Sequence, residues 1–337
     1  MPKLIMKFEI LREILVKSRE ETDPRYGCDP EKRELKEYLG NGIVNLDKPP
    51  GPTSHQVTSW VKKILNLKKA GHSGTLDPKV TGVLPIALEN ATKIVQALLL
   101  SEKEYICLMS LHGNVSDDKL RKIFNYFQGE IFQTPPLRSS VKRGLRKRRV
   151  YQLKILEREN REVLFNVRCE SGTYIRKLCH DMGLVLGVGA HMRELRRTKA
   201  GPFDENSIVK LHDLKDAYEF YLEDNDESYL RRYILPVEKA VQHLKKIWIK
   251  DSAIAAVCHG ANLNAPGVSK LEKGIQKNEL ISLFSLKNEL VALGRSIKTS
   301  EEIYEMKTGT VVDLERVIMS PDVYPKKWHK AEKIENI

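Results

Sequence analysis

A chain of 337 residues with 41% hydrophobic and 30% charged content has apolar material for one large domain and a smaller one, under a well-solvated surface. The formal charge of +12 and a pI near 9.3 favour a polyanionic partner, because Lys and Arg release counterions from a phosphate backbone. Five scattered cysteines (Cys28, Cys107, Cys169, Cys179, Cys258) show no CxxC spacing, which argues against a disulfide framework or a zinc site, and no apolar run reaches the length of a membrane span.

Residues 1–40 read as a charged N-terminal extension, a short helical stretch followed by the turn-rich DPRYGCDPEKRE. Charges recur every few residues there, unlike a signal peptide, so a soluble intracellular protein is expected. GIVNLDKPPGPTSH is predicted as a short apolar strand entering a Pro/Gly turn, which Thr53 or Ser54 caps into a helix. Val57, Trp60, Val61, Ile64 and Leu65 recur at helical spacing and are predicted to be its buried face. GHSGTLDPKVTGVLPIAL follows as a loop and a short strand, then a helix over 92–100 and a strand at KEYICLMSLHG. Residues 117–127 form an amphipathic helix; VYQLKILERE and EVLFNVRCES pair as strands. SGTYIRKLCHDMGLVLG reads as a turn opening a helix, and HMRELRRTKAGPF as a further strand.

Strands and helices mix without a regular βαβ rhythm, which predicts an α+β fold with a mixed, mainly antiparallel sheet. Beyond about residue 245 short segments separated by Gly-bearing turns predict a small, barrel-like β domain. The expected organisation is an extension (1–40), an α+β domain (41–245), a β domain (246–325) and a basic tail (326–337).

GHSGTLDPKVTGVL holds a single acid, Asp77, which precedes a proline and is therefore biased away from helix. Read alone it is a turn aspartate bonding its own loop amides. Gly71, Gly74 and Gly82 give the loop backbone freedom and room for another chain to approach. The loop lacks the lysine spacing of a P-loop.

NLDKPPGPTSHQV followed by GHSGTLDPKVTGVLPIAL resembles the first two motifs of the TruB/dyskerin family of pseudouridine synthases. EKEYICLMSLHG, SGTYIRKLCHDMG and ELRRTKAGPF are similar to its later motifs, in family order across 41–205, and the NAPGV…LVALG pattern resembles an RNA-binding PUA domain. The extension and the PUA-like end resemble the dyskerin-like branch, the catalytic subunit of archaeal H/ACA ribonucleoproteins. The resemblance implies an α+β catalytic domain, an N-terminal extension packed on the PUA domain, a cytoplasmic location, and isomerisation of uridine to pseudouridine by one aspartate without cofactor or metal. It implies an H/ACA guide RNA, a target rRNA or tRNA, and small H/ACA proteins of the Nop10 and Gar1 kinds, with an L7Ae-like protein held through the RNA. A stand-alone synthase for the T-loop uridine of tRNA and a non-catalytic RNA scaffold are the competing readings.

By the same resemblance the catalytic residues are Asp77, Tyr105 and Arg176: the carboxylate, the ring on which a flipped base stacks, and the guanidinium that keeps the carboxylate ionised in a dry pocket. Lys48 is expected to support the catalytic loop and reach phosphate, His72 to lie near displaced RNA, and Leu178 to pack beneath the RNA-binding pocket. The run KRGLRKRR is too densely charged to bury, so Lys142, Arg143, Arg146, Lys147, Arg148 and Arg149 are expected to bind phosphate. ELRRTKAG adds Arg193, Arg196, Arg197 and Lys199 as a second basic cluster.

Overall fold

The computed structural model describes residues 12–135 and 144–326, which fall into two compact units. One is Leu35–Val241; the other joins the described residues up to Glu34 with those from Gln242 onward. The first strand in the chain, β1 (Ile14–Val16), belongs to the second unit, so part of the N-terminal stretch expected as helix is extended.

The larger unit opens with helix α1 (Leu35–Gly40) and strand β2 (Gly42–Lys48), then helix α2 (Ser54–Ile64). Thr53 caps α2 in a reciprocal box with Gln56, which satisfies two donors that a helix start leaves open. Val57, Val61 and Leu65 are at most 2% exposed, each contributing about 1.5–3 kcal/mol of burial. Trp60, expected on the same face, is 42% exposed: at about 100° per residue it falls at the edge of the stripe centred on Val57 and Val61.

Strands β3 (Ala70–His72) and β4 (Thr81–Leu88), helix α3 (Val95–Leu100), strand β5 (Lys103–Leu111) and helix α4 (Asp117–Tyr126) follow. A 3-10 turn over Glu89–Ile94 occupies the start of the helix expected at 92–100. The chain continues through β6 (Gly129–Gln133), β7 (Arg146–Glu159), β8 (Glu162–Cys169), α5 (Ile175–Leu186), β9 (Ala190–Ala200), β10 (Phe203–Asp204), α6 (Leu211–Asp224), α7 (Ser228–Tyr233) and β11 (Ile234–Pro236). Strand order is β11-β2-β4-β9-β5-β8-β7-β6, with β3 beside β4 and β10 beside β9. The β4–β9 neighbours are parallel, and the other neighbours along this order are antiparallel. This is the α+β arrangement that the irregular alternation of elements predicts.

Two features of this sheet set the site. On β5 burial alternates strictly, so Lys103, Tyr105, Cys107 and Met109 face the core together. On β4, Gly82 has φ +101°, and a Cβ there would lie 2.2 Å from the Arg197 carbonyl oxygen on β9. Only glycine lets the two strands approach that closely.

The smaller unit holds β12 (Lys245–Ile249), α8 (Asp251–Cys258), β13 (Leu263–Asn264), β14 (Val268–Glu272), β15 (Leu280–Phe284), β16 (Leu290–Ser296), α9 (Ser300–Glu305) and β17 (Thr310–Val317). They form a seven-stranded sheet, β1-β14-β12-β15-β16-β17-β13, around its own apolar cluster of Ile247, Leu271, Leu283, Val291 and their neighbours. The N-terminal stretch is tied in by β1–β14 pairing and by Arg12, which donates to Glu272 and to the Leu244 carbonyl. Glu289, 2% exposed, accepts from the Cys28 amide and from the Tyr324 hydroxyl, joining both ends of the unit.

Candidate active site

Asp77 lies in the loop between β3 and β4, where its carbonyl accepts from the Val80 amide and neighbouring side chains supply further bonds. Leu76 and Val80 are buried on either side of it. Ser54, at the first position of α2, accepts from the Leu76 amide at 2.9 Å and donates to the Leu76 carbonyl at 3.1 Å. The Lys48 ammonium donates to the carbonyls of Pro49, Pro78 and Val80 at 2.9–3.0 Å. The Gly51 amide adds a bond to the Pro78 carbonyl. With both flanks pinned, the Asp77 carboxylate projects outward and is 51% exposed.

Arg176 is the second residue of α5, and its guanidinium is ion-paired to the Asp77 carboxylate. The side chain is 52% exposed, so the pair stands open to solvent rather than in a dry pocket. A cavity of about 600 Å³ opens beside it, lined by Thr134, Pro135, Lys177, His180, His191 and Met192.

Tyr105, 9% exposed, sits opposite Arg197 in the β5–β9 ladder. Burial pushes the Tyr105 hydroxyl above its ordinary pKa, and the Arg197 charge pulls it part of the way back. Arg197 is itself 1% exposed and donates to Val83 O at 2.7 Å and to Gly74 O at 3.3 Å, so it ties β9 to β4 and to the Asp77 loop. Lys103 lies beneath the same loop and donates to the Leu98 and Ser101 carbonyls. Burial, aided by the Arg197 charge, pushes its ammonium down to about 7.

Other expected site residues are placed differently. Lys48 is fully buried with its ammonium on three carbonyls, so it holds the loop and does not reach phosphate. Leu178, expected as packing beneath the site, is fully buried on the core side of α5. His72 ends β3, with its ring edge-on to His55 at 4.7 Å and with neither ring nitrogen hydrogen-bonded. Burial first, then the His55 and Arg197 charges, push it down to about 4, so it is neutral near pH 7. Lys142 and Arg143 lie outside the described residues. The rest of that cluster is the start of β7, where Arg146 and Arg148 alternate with the more exposed Lys147 and Arg149. Lys147 pairs with Glu130 at 2.7 Å and Arg148 with Glu170 at 3.6 Å. The second basic cluster is not a free patch either, for Arg193 pairs with Glu162, Arg196 with Asp47 and Glu205, and Arg197 is buried.

Ser54, Lys103, Gln133 and Arg197 support the site without having been singled out for that role from the sequence. Lys103 had a legible signal: it sits two residues before Tyr105 on a strand, hence on the same face. Among the described residues no group of three or more His, Cys, Asp or Glu could hold a metal ion.

Comparison with known proteins gives four consecutive family matches. The DKCLD (NUC011) domain matches residues 3–58, the TruB family pseudouridylate synthase N-terminal domain 62–119 and 112–175, the tRNA pseudouridylate synthase B C-terminal domain 176–242, and the PUA domain 245–318. The probable tRNA pseudouridine synthase B of Pyrococcus abyssi is 57% identical over 96% of this chain and 98% of its own; that of Methanopyrus kandleri is 55% identical over 96% of each. Among solved structures, a Cbf5-Nop10-Gar1 complex contains a chain that matches with a TM-score of 0.90 at 57% identity, over 95% of this chain and 98% of that one. An H/ACA RNP bound to a substrate RNA containing 2′-deoxyuridine matches with a TM-score of 0.88 at 55% identity, over 95% and 98%.

Proposed function

The chain belongs to the TruB family of pseudouridine synthases, and from that premise we propose that it is the catalytic subunit of an archaeal H/ACA guide RNA–protein complex, isomerising selected uridines of rRNA in the cytoplasm. The observation that carries the chemistry is the Arg176–Asp77 ion pair on a loop pinned from both sides. Pseudouridine formation breaks the N1–C1′ bond of uridine, turns the base, and joins C5 to C1′, while C5 loses a proton and N1 gains one. The product is an isomer of the substrate, so one ionised carboxylate is the group the chain must supply. Asp77 fills that role whether it attacks C1′ or takes a proton from the sugar. Arg176 favours the ionised form through charge-assisted hydrogen bonds and cannot itself deprotonate.

The target uridine must leave its stack, at a cost of a few kcal/mol. Docked over Tyr105, its base covers the half-exposed ion pair and excludes water, which strengthens the electrostatic interactions there.

Assignment to a guided particle rests on likeness across 95% of the chain to proteins solved with Nop10, Gar1 and substrate RNA, and on the PUA match. Partners of those kinds, with an L7Ae-like protein on the RNA, complete the particle, and base pairing with the guide selects the uridine. A second reading, a stand-alone synthase for the T-loop uridine of tRNA, is favoured by the names of the curated relatives. A non-catalytic scaffold would have no use for the Asp77–Arg176 pair. Sequencing of RNA that co-purifies with the protein from its own cells separates the two enzymatic readings. Hairpin guides with an ACA box support the guided enzyme, and tRNA alone would replace it with the second reading.

A further inference from the structure

Helix α5 carries Arg176 in its first turn, yet its N-cap residue is Tyr174, whose side chain makes no capping bond. The donors at a helix start need partners, and one comes from another strand. Gln133, the last residue of β6 and 3% exposed, accepts from the Tyr174 amide at 3.0 Å and donates to the Tyr174 carbonyl at 3.2 Å. The side-chain amide thus grips both polar groups of one residue, two positions before Arg176.

We propose that Gln133 is a positioning residue for the reaction, a cap supplied from β6 that sets where the Arg176 guanidinium stands relative to Asp77. The sheet gives this grip its meaning. β6 is joined through β7 and β8 to β5, which bears Tyr105, so Gln133 references the start of α5 to the ladder that places the aromatic residue. The turn before α5 is also tied to β7, where the Glu170 amide donates to the Arg149 carbonyl and the Arg149 amide to the Glu170 carboxylate, and Gln133 adds a grip two residues before Arg176. Without Gln133 the start of α5 loses its side-chain tie to β6. A displacement of about 1 Å in a positioned group costs on the order of 100-fold in rate.

The inference rests on the Asp77 reading above, and its test has two readouts so that the two can fail separately. In Gln133→Met, which keeps the length and apolar bulk of the side chain, amide hydrogen exchange at Tyr174 to Lys177 is expected to accelerate while the last two turns of α5 keep their protection. With the particle reconstituted on guide and target RNA, the single-turnover rate constant at saturating enzyme is expected to fall by roughly 10- to 100-fold with RNA affinity unchanged. Unchanged exchange at the first turn, an unchanged rate constant, or a loss carried by RNA affinity alone would each overturn the proposal. A wild-type particle without activity would overturn the Asp77 reading instead, leaving the exchange measurement to judge the cap.

Discussion

Lys48 and His72 flank the Asp77 loop, and each carries a charge question that its burial answers. The Lys48 ammonium has no exposure and gives its donors to three carbonyls of that loop and its approach. Lys48→Met is therefore expected to leave three acceptors without their donor and to destabilise the protein by about 2–4 kcal/mol, read as a lower midpoint in chemical denaturation. His72 is held down to about 4 against an ordinary 6.5. Unfolded chain takes up a proton below 6.5 and the folded protein only near 4, so stability falls as pH drops through that window. The slope is up to about 1.4 kcal/mol per pH unit. His72→Phe should flatten that part of the stability profile, and an unchanged profile would remove the assignment. The pairing of Asp77 with Arg176 was legible because their motifs carry them. Lys48 was half legible: its motif marked it as a loop residue, but a lysine in a string of letters does not reveal that three carbonyls converge on it.

At the scale of elements the site depends on two strands that approach closely, β4 and β9. Gly82 admits that approach, and Gly82→Ala would combine φ +101° with a Cβ 2.2 Å from a backbone oxygen. An expected loss of roughly 3 kcal/mol or more by denaturant titration follows, with activity lost in parallel. The elements themselves were largely readable from local pattern: the α2 cap, the alternation of β5 and the stripe of α4 are each written within about a dozen residues. What was not readable is the pairing between segments far apart in the chain. The parallel contact of β4 with β9 turned Arg197 from a member of a basic run into a buried tie between β4 and the catalytic loop. Similarly, half of KRGLRKRR became strand because β6 pairs with it from Arg146 to Arg149, which sends its charges to alternate faces.

For the whole molecule, a charge of +12 remains after many basic side chains are engaged in ion pairs, and it fits a polyanionic partner better than any single patch does. Each unit has its own sheet and core, and the larger one pairs Asp77 of a loop with Arg176 of a helix and carries Tyr105 on strand β5. The central claim is that this one carboxylate isomerises a uridine chosen by a guide. It is tested most directly by quantifying pseudouridine in a target strand incubated with the reconstituted particle, wild type against Asp77→Asn, with matched and mismatched guides. The account predicts conversion only with wild type and the matched guide, the variant falling by at least about 1000-fold while binding guide RNA as wild type does. Turnover by the pure Asp77→Asn particle near the wild-type rate would contradict it.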